Sequence, residues 1–161
     1  MKDSSSSQLI EFAKKSLVET GGFGWLTEAG QIDLGKNLQA WINFRMTYVF
    51  ALEKINGNQS AIKYLQHGLN AIRELFADEI NGGFYTEVTS EAVIDYEKKA
   101  YEFAFALLAL SAAVRAGEES AKSELAKALV IFEKYFWNES FGLVEESWNR
   151  EFKIRSKYHG L

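Results

Sequence analysis

The sequence predicts an all-α fold, a partial α/α toroid whose helix pairs are joined by short Gly/aromatic β-hairpins. Three observations carry that expectation. Helical stretches that are apolar on nearly every side alternate with stretches that are apolar on one face; a Gly-aromatic element recurs at about 60 residues; and two helical stretches separate each copy of that element from the next.

The first helical pattern covers residues 8–20, where Leu9, Ile10, Phe12, Ala13, Leu17 and Val18 share a face behind a Ser-rich cap, and Gly21-Gly22 ends it. A second starts after Asn37, read as its N-cap, and runs through Trp41, Phe44, Val49 and Phe50 to Gly57. It is apolar almost all round and is expected to be covered by protein on every side. The third, residues 60–76, carries Ile62, Leu65, Leu69, Ile72 and Leu75 on one stripe with polar residues elsewhere, which marks an outer helix. Residues 98–116 repeat the all-round apolar pattern, and residues 120–137 repeat the amphipathic one, with Lys122, Glu124, Lys127 and Glu133 exposed. Between them, residues 21–26, 82–88 and 141–148 read as short strands or hairpins. Apolar helices inside and amphipathic helices outside suit closure around a common axis, with an open stack as the alternative. Just over two helix pairs and part of a third leave an open edge. The chain, 1–161, is therefore expected to be a truncated part of a larger toroid domain, or to need self-association or a complementary fragment to cover that edge.

Composition narrows the function. The 161 residues are 47% apolar and 25% charged, a globular balance at a one-domain length. A net charge of −4 with dispersed Lys and Arg gives no nucleic-acid footprint. The absence of Cys excludes a disulfide framework, a thiol nucleophile and a thiolate metal site. The start lacks the apolar core of a secretory leader, and the longest nearly uncharged run, 103–114, is shorter than the ~18 residues of a membrane span. No membrane or nucleic-acid partner is expected, and a cytoplasmic location is.

Arg45 is the sharpest chemical signal. In an apolar helix an unpaired guanidinium is costly, so it is expected to meet a carboxylate such as Glu53, Glu97 or Glu102, a polar cavity, or a ligand. Trp41 lies four residues before it and Tyr48 three after, so an aromatic, a cation and a phenol share one face. That set suits a sugar: an indole covers the apolar face of a pyranose, and a guanidinium supplies forked donors to its oxygens. Tyr101 and Glu102 open the other apolar helix toward the same space. Asp95, Glu97, Glu145 and Glu146 are carboxylates of the kind a glycoside hydrolase uses, although residues in turns are mostly solvated. His67 and His159 stand among polar neighbours or at the terminus, no metal-ligand spacing is present, and no cofactor is called for.

Taken in order, Gly22-Phe23-Gly24-Trp25-Leu26, Trp41-Ile42-Asn43-Phe44-Arg45-Met46-Thr47, the run 101–105, Phe136-Trp137 and the segment 142–148 resemble the N-acylglucosamine 2-epimerase family, and its mannose and sulfoquinovose isomerase branch in particular. The resemblance covers almost the whole chain. It implies a partial (α/α)6 toroid that acts on free reducing sugars without a required metal, by aldose–ketose isomerisation or C2 epimerisation through an enediol-like intermediate. It also implies that Trp41, Asn43, Arg45 and Tyr101 bind the sugar, while His residues move the proton. Tyr158-His159-Gly160-Leu161 resembles the approach to the segment that supplies the first such His, so no catalytic residue is assigned here and the chain alone is expected to be inactive. Tyr48 and Phe103 stand where many isomerase-branch members carry His, which leaves the substrate open. Outside the family, a non-catalytic sugar- or protein-binding repeat module and a toroid glycoside hydrolase remain as other classes.

Overall fold

Among the described residues, 4–156 of the computed structural model, five α-helices form two layers. Helices α2 (Ala40–Ile55) and α4 (Ala100–Arg115) pack side by side in the inner layer. Helix α3 (Ile62–Ala71) packs on α2, and α5 (Ala121–Ile131) packs on α4, in the outer layer. Helix α1 (Ser4–Ala13) joins that layer through Lys14, whose ammonium hydrogen-bonds Ser60 and lies over the Tyr64 ring. Corresponding residues stand sixty apart: Ala40 and Ala100 open the inner helices, and both outer helices end in a wide π turn, Ile72–Phe76 and Phe132–Phe136, that finishes on a fully buried Phe.

The hairpins stitch one unit to the next. Strand β1 (Leu38–Gln39) leads into α2 and pairs antiparallel with β2 (Glu87–Val88), which also pairs with β3 (Val93–Asp95). Strand β4 (Lys98–Lys99) leads into α4 and pairs in the same way with β7 (Ser147–Trp148), while β5 (Trp137–Asn138) pairs with β6 (Leu143–Val144). This pairing corrects the expected helix starts. Asn37 is not an N-cap; its side chain donates to Glu87. The first free amide of α2, from Ala40, donates to Thr86 O at 2.9 Å, and that of α4, from Ala100, to Glu146 O at 2.9 Å. The neighbouring hairpin thus does the work of a capping side chain.

The first helix also ends earlier than its apolar spacing suggests. Residues 5–7 are already helical, and the chain turns extended at Leu17 (ψ 121°), because Leu17 bridges to Phe23 across a hairpin closed by Gly21 and Gly22. Gly22 has φ +74°, and a Cβ there would stand 3.1 Å from Asn43 Oδ1, so glycine is required twice over.

A column of rings fixes the hairpins against the inner helices. Phe84 stands 5.2 Å from both Phe44 on α2 and Phe103 on α4, and Phe44 and Phe103 continue to Phe76 and Phe136 at the ends of the outer helices. Each such buried ring contributes roughly 1.5–3 kcal/mol.

The expectation that both inner helices are covered all round fails on α4. Tyr101, Ala104, Leu108 and Ser111 form an exposed stripe. The reason is visible on α2, where Phe44, the counterpart of Ala104, is buried against Phe84 and the neighbouring inner helix; no further inner helix stands beside α4 among the described residues. Among the described residues no helix is long and apolar enough to cross a membrane. His159 and Tyr158 lie outside the described residues.

Candidate functional site

The i, i+4 spacing places Trp41 and Arg45 on one face of α2, and Tyr101 and Phe105 on the matching face of α4. Because the two helices lie side by side, the four side chains meet. The Arg45 guanidinium sits 5.7 Å from the Trp41 ring centroid and 4.9 Å from that of Phe105, which makes an edge-on contact of 5.0 Å with Tyr101. Trp41 also meets Trp25, edge-to-face at 5.7 Å.

Arg45 corrects the sequence argument. It is exposed, and no described carboxylate lies within ion-pair distance of it. Glu53 instead accepts from Asn58, Glu97 meets Lys99, and one oxygen of Glu102 has no partner. An all-round apolar pattern marks burial only where neighbours exist, and the Trp41–Arg45 face looks onto open solvent. There the guanidinium needs no counter-ion, and aromatic faces hold it while its in-plane N–H donors stay free. Tyr101 is 55% exposed, and Tyr48 lies half-buried one turn further along α2.

Asn43 stands apart from this wall. It is fully buried, accepts from the Phe23 N–H at 3.2 Å, and donates to Gly68 O at 3.4 Å. Its amide joins the first hairpin, α2 and α3. Thr47, one turn on, is equally buried and donates to Asn43 O.

Three of the four acidic residues considered for hydrolysis are occupied. Lys99 bridges Asp95 and Glu97 at 3.1 and 3.3 Å, Glu97 also accepts from Ser147, and Glu145 meets Arg155 and Asn138. Glu146 is exposed. His67 is half-buried, with Nε2 2.8 Å from Gly22 O and its ring edge-on to Phe23. A cleft of about 630 Å³ opens in the outer layer between the π turn that follows α3, the hairpin at 77–84 and α5, and shares no residue with the Trp41–Arg45 wall.

Two features escaped the sequence reading. Lys98, fully buried just before α4, reaches Asp78, also fully buried, at 3.0 Å, and Arg150 closes on the same carboxylate at 3.0 Å while stacking 4.8 Å from Tyr96. Burial alone would raise the Asp78 carboxyl, but hydrogen bonds from Arg150, Lys98 and the Asn81 amide outweigh it and hold the group well below its ordinary value. The second is Phe105, whose contact with Arg45 the sixty-residue offset between the helices would have revealed.

Compared with known sequences, residues 21–161 match the profile described as N-acylglucosamine 2-epimerase (GlcNAc 2-epimerase). The chain belongs to the N-acylglucosamine 2-epimerase family. Within it, the chain is similar to D-mannose isomerase of Thermobifida fusca, 32% identical over 159 residues that make up 98% of this chain and 39% of the relative. A crystal structure of D-mannose isomerase superimposes with a TM-score of 0.84 at 20% identity, covering 96% of this chain and 41% of that one. Cellobiose 2-epimerase from Bacillus thermoamylovorans B4167 gives 0.81 at 21% identity, with 90% and 38% covered. The two-layer helical array is consistent with part of the fold of these enzymes. The chain spans about two fifths of the length of these relatives of the N-acylglucosamine 2-epimerase family.

Proposed function

We propose that this chain supplies one wall of the sugar site of an aldose–ketose isomerase or 2-epimerase whose complete fold is a ring of six helix pairs. The carrying observation is the unpaired Arg45 guanidinium held between Trp41 and Phe105, beside the exposed Tyr101, on the inner layer of this family's fold.

In this reading the free hexose lies against the Trp41 indole, and Arg45 and Tyr101 bond its oxygens. Isomerisation removes the proton from C2 while the C1 carbonyl oxygen gains one, giving an enediol; a proton then returns to C1 as O2 loses its own and becomes a carbonyl. Returning the proton to the opposite face of C2 gives epimerisation instead. Arg45 is suited to the oxygen on which negative charge develops in either case. The proton transfers need imidazoles poised near neutral pH. His67 is committed to Gly22 O, so this reading assigns the transfers to histidines contributed outside residues 4–156. The exposed residues Ala104, Leu108 and Ser111 of α4 are the seam against which a further helix pair, or a partner chain, would close.

The test is to incubate the chain with mannose, fructose, glucose and N-acetylmannosamine while monitoring both melting temperature and product. The expected result is a sugar-induced rise in melting temperature without conversion. Turnover by the chain alone would contradict the assignment of proton transfer elsewhere. The absence of stabilisation by every sugar would contradict the binding wall.

A further inference from the structure

We infer that Trp25 is a positioning residue for the sugar-stacking indole of Trp41, and that Lys36 holds Trp25 in place; the inference rests on the sugar reading of the inner wall. Trp25 meets Trp41 edge-to-face, with centroids 5.7 Å apart and ring planes at 80°. On Trp25 itself, the Lys36 ammonium lies 4.5 Å from the ring centroid. The same loop returns Lys36 to that position: the Asp33 N–H donates to Trp25 O at 2.9 Å, and the Lys36 N–H donates to Asp33 O at 3.2 Å. Lys36 is exposed and has no ion pair among the described residues. Its ordered partner is therefore the indole.

The repeat shows that the architecture does not require a ring at this position. Gly24 and Tyr85 make the same backbone bond, to Ser16 O and Phe76 O respectively, so Trp25 corresponds to Thr86, and Glu145 and Glu146 follow the same pattern in the third hairpin. Thr86 is buried and donates to Glu97 O; Glu146 is exposed. Neither touches the inner wall as an aromatic does, and Tyr101, the counterpart of Trp41, leans on Phe105 of its own helix. Of the three units, only the first places an indole at this hairpin position, where it restricts the torsions of Trp41. An indole already ordered loses less freedom on binding, so removing its support weakens a ligand by about two- to tenfold.

The test compares the wild-type chain with W25T, which installs the side chain of the second unit, with W25F, which keeps a ring, and with K36M. The readouts are melting temperature, ¹⁵N relaxation of the Trp41 indole N–H, and titration with D-mannose. The expected W25T protein melts close to wild type, shows a more mobile Trp41 indole, and binds mannose about two- to tenfold more weakly. W25F restores most of the order, and K36M falls between. An equally ordered Trp41 in W25T, or unchanged mannose affinity, would overturn the inference. Should W25T not fold, W25L asks the same question without a hydroxyl. A wild-type chain that ignores mannose would overturn the sugar reading instead, while the relaxation comparison still decides whether Trp25 positions Trp41.

Discussion

Arg45 and Phe105 occupy the same position, sixty residues apart, on α2 and α4, and the guanidinium of the first lies 4.9 Å from the ring centroid of the second. Equivalent positions of two successive units thus carry a cation and the aromatic face that holds it. The contact fixes the guanidinium without neutralising it, which leaves its donors available to an uncharged, oxygen-rich ligand.

Arg45→Ala should separate binding from stability. The residue is exposed and unpaired, so the melting temperature should stay near wild type, within about 0.5 kcal/mol. Hexose affinity should fall about ten- to a hundredfold, the worth of hydrogen bonds from a charged donor. Thermal melts and calorimetric titration with mannose check both halves.

Asp78 should behave in the opposite way. Removing one partner of a buried ion pair leaves the other uncompensated, so Asp78→Ala should cost about 3–5 kcal/mol in urea unfolding. Its carboxyl is held below the ordinary 3.8, so the stability it contributes is complete above that pH and is lost as the pH falls toward the folded-state value. Asp78→Asn should therefore be less stable than wild type near neutrality and lose less on acidification.

Glu102 gives the reverse slope. Burial raises its carboxyl above the ordinary 4.5, and Oε2 has no hydrogen-bond partner. The unfolded chain releases this proton at a lower pH than the folded one, so its contribution falls as pH rises from 4.5 through the folded-state value. Glu102→Gln should flatten that slope and, near pH 8, raise the melting temperature by roughly 2–4 °C for a gain of about 1 kcal/mol. An unchanged pH profile would show that the carboxyl is solvated.

Gly68 is where α3 packs against Thr47 of α2 with no room for a side chain. A methyl group there would collide with Thr47 Oγ1 and stand 3.0 Å from the Phe23 ring. Gly68→Ala should destabilise by about 1–3 kcal/mol through overpacking, despite alanine's better helix propensity. Urea melts would detect it.

The helices and their alternation were legible because apolar spacing reports which faces are covered, and residues 60–76 and 120–137 match α3 and α5 with their π turns closely. Helix starts were less legible. Asn37 satisfies the local pattern of an N-cap, but the amide of Ala40 is satisfied by Thr86, almost fifty residues away, and no local signal encodes such a partner. For the site, Trp41 and Arg45 were placed together by spacing alone, whereas the burial assigned to Arg45 was wrong because apolar neighbours in sequence do not reveal an open inner wall. Asn43 was grouped with them by resemblance, and its contacts to Phe23 and Gly68 instead join it to the packing between layers. The Asp78–Lys98–Arg150 cluster joins three hairpin segments far apart in sequence, so only the fold brings it into view.

The central claim is that the Trp41–Arg45–Tyr101 wall holds a free sugar. Its most direct test is a titration of the ¹⁵N-labelled chain with D-mannose, following the Trp41 indole N–H and the Arg45 Nε–H. Saturable shifts concentrated on these signals, and absent from Arg45→Ala, are predicted. Saturable shifts confined to the outer-layer cleft around Arg73 and Glu124, or no shifts at all, would contradict it.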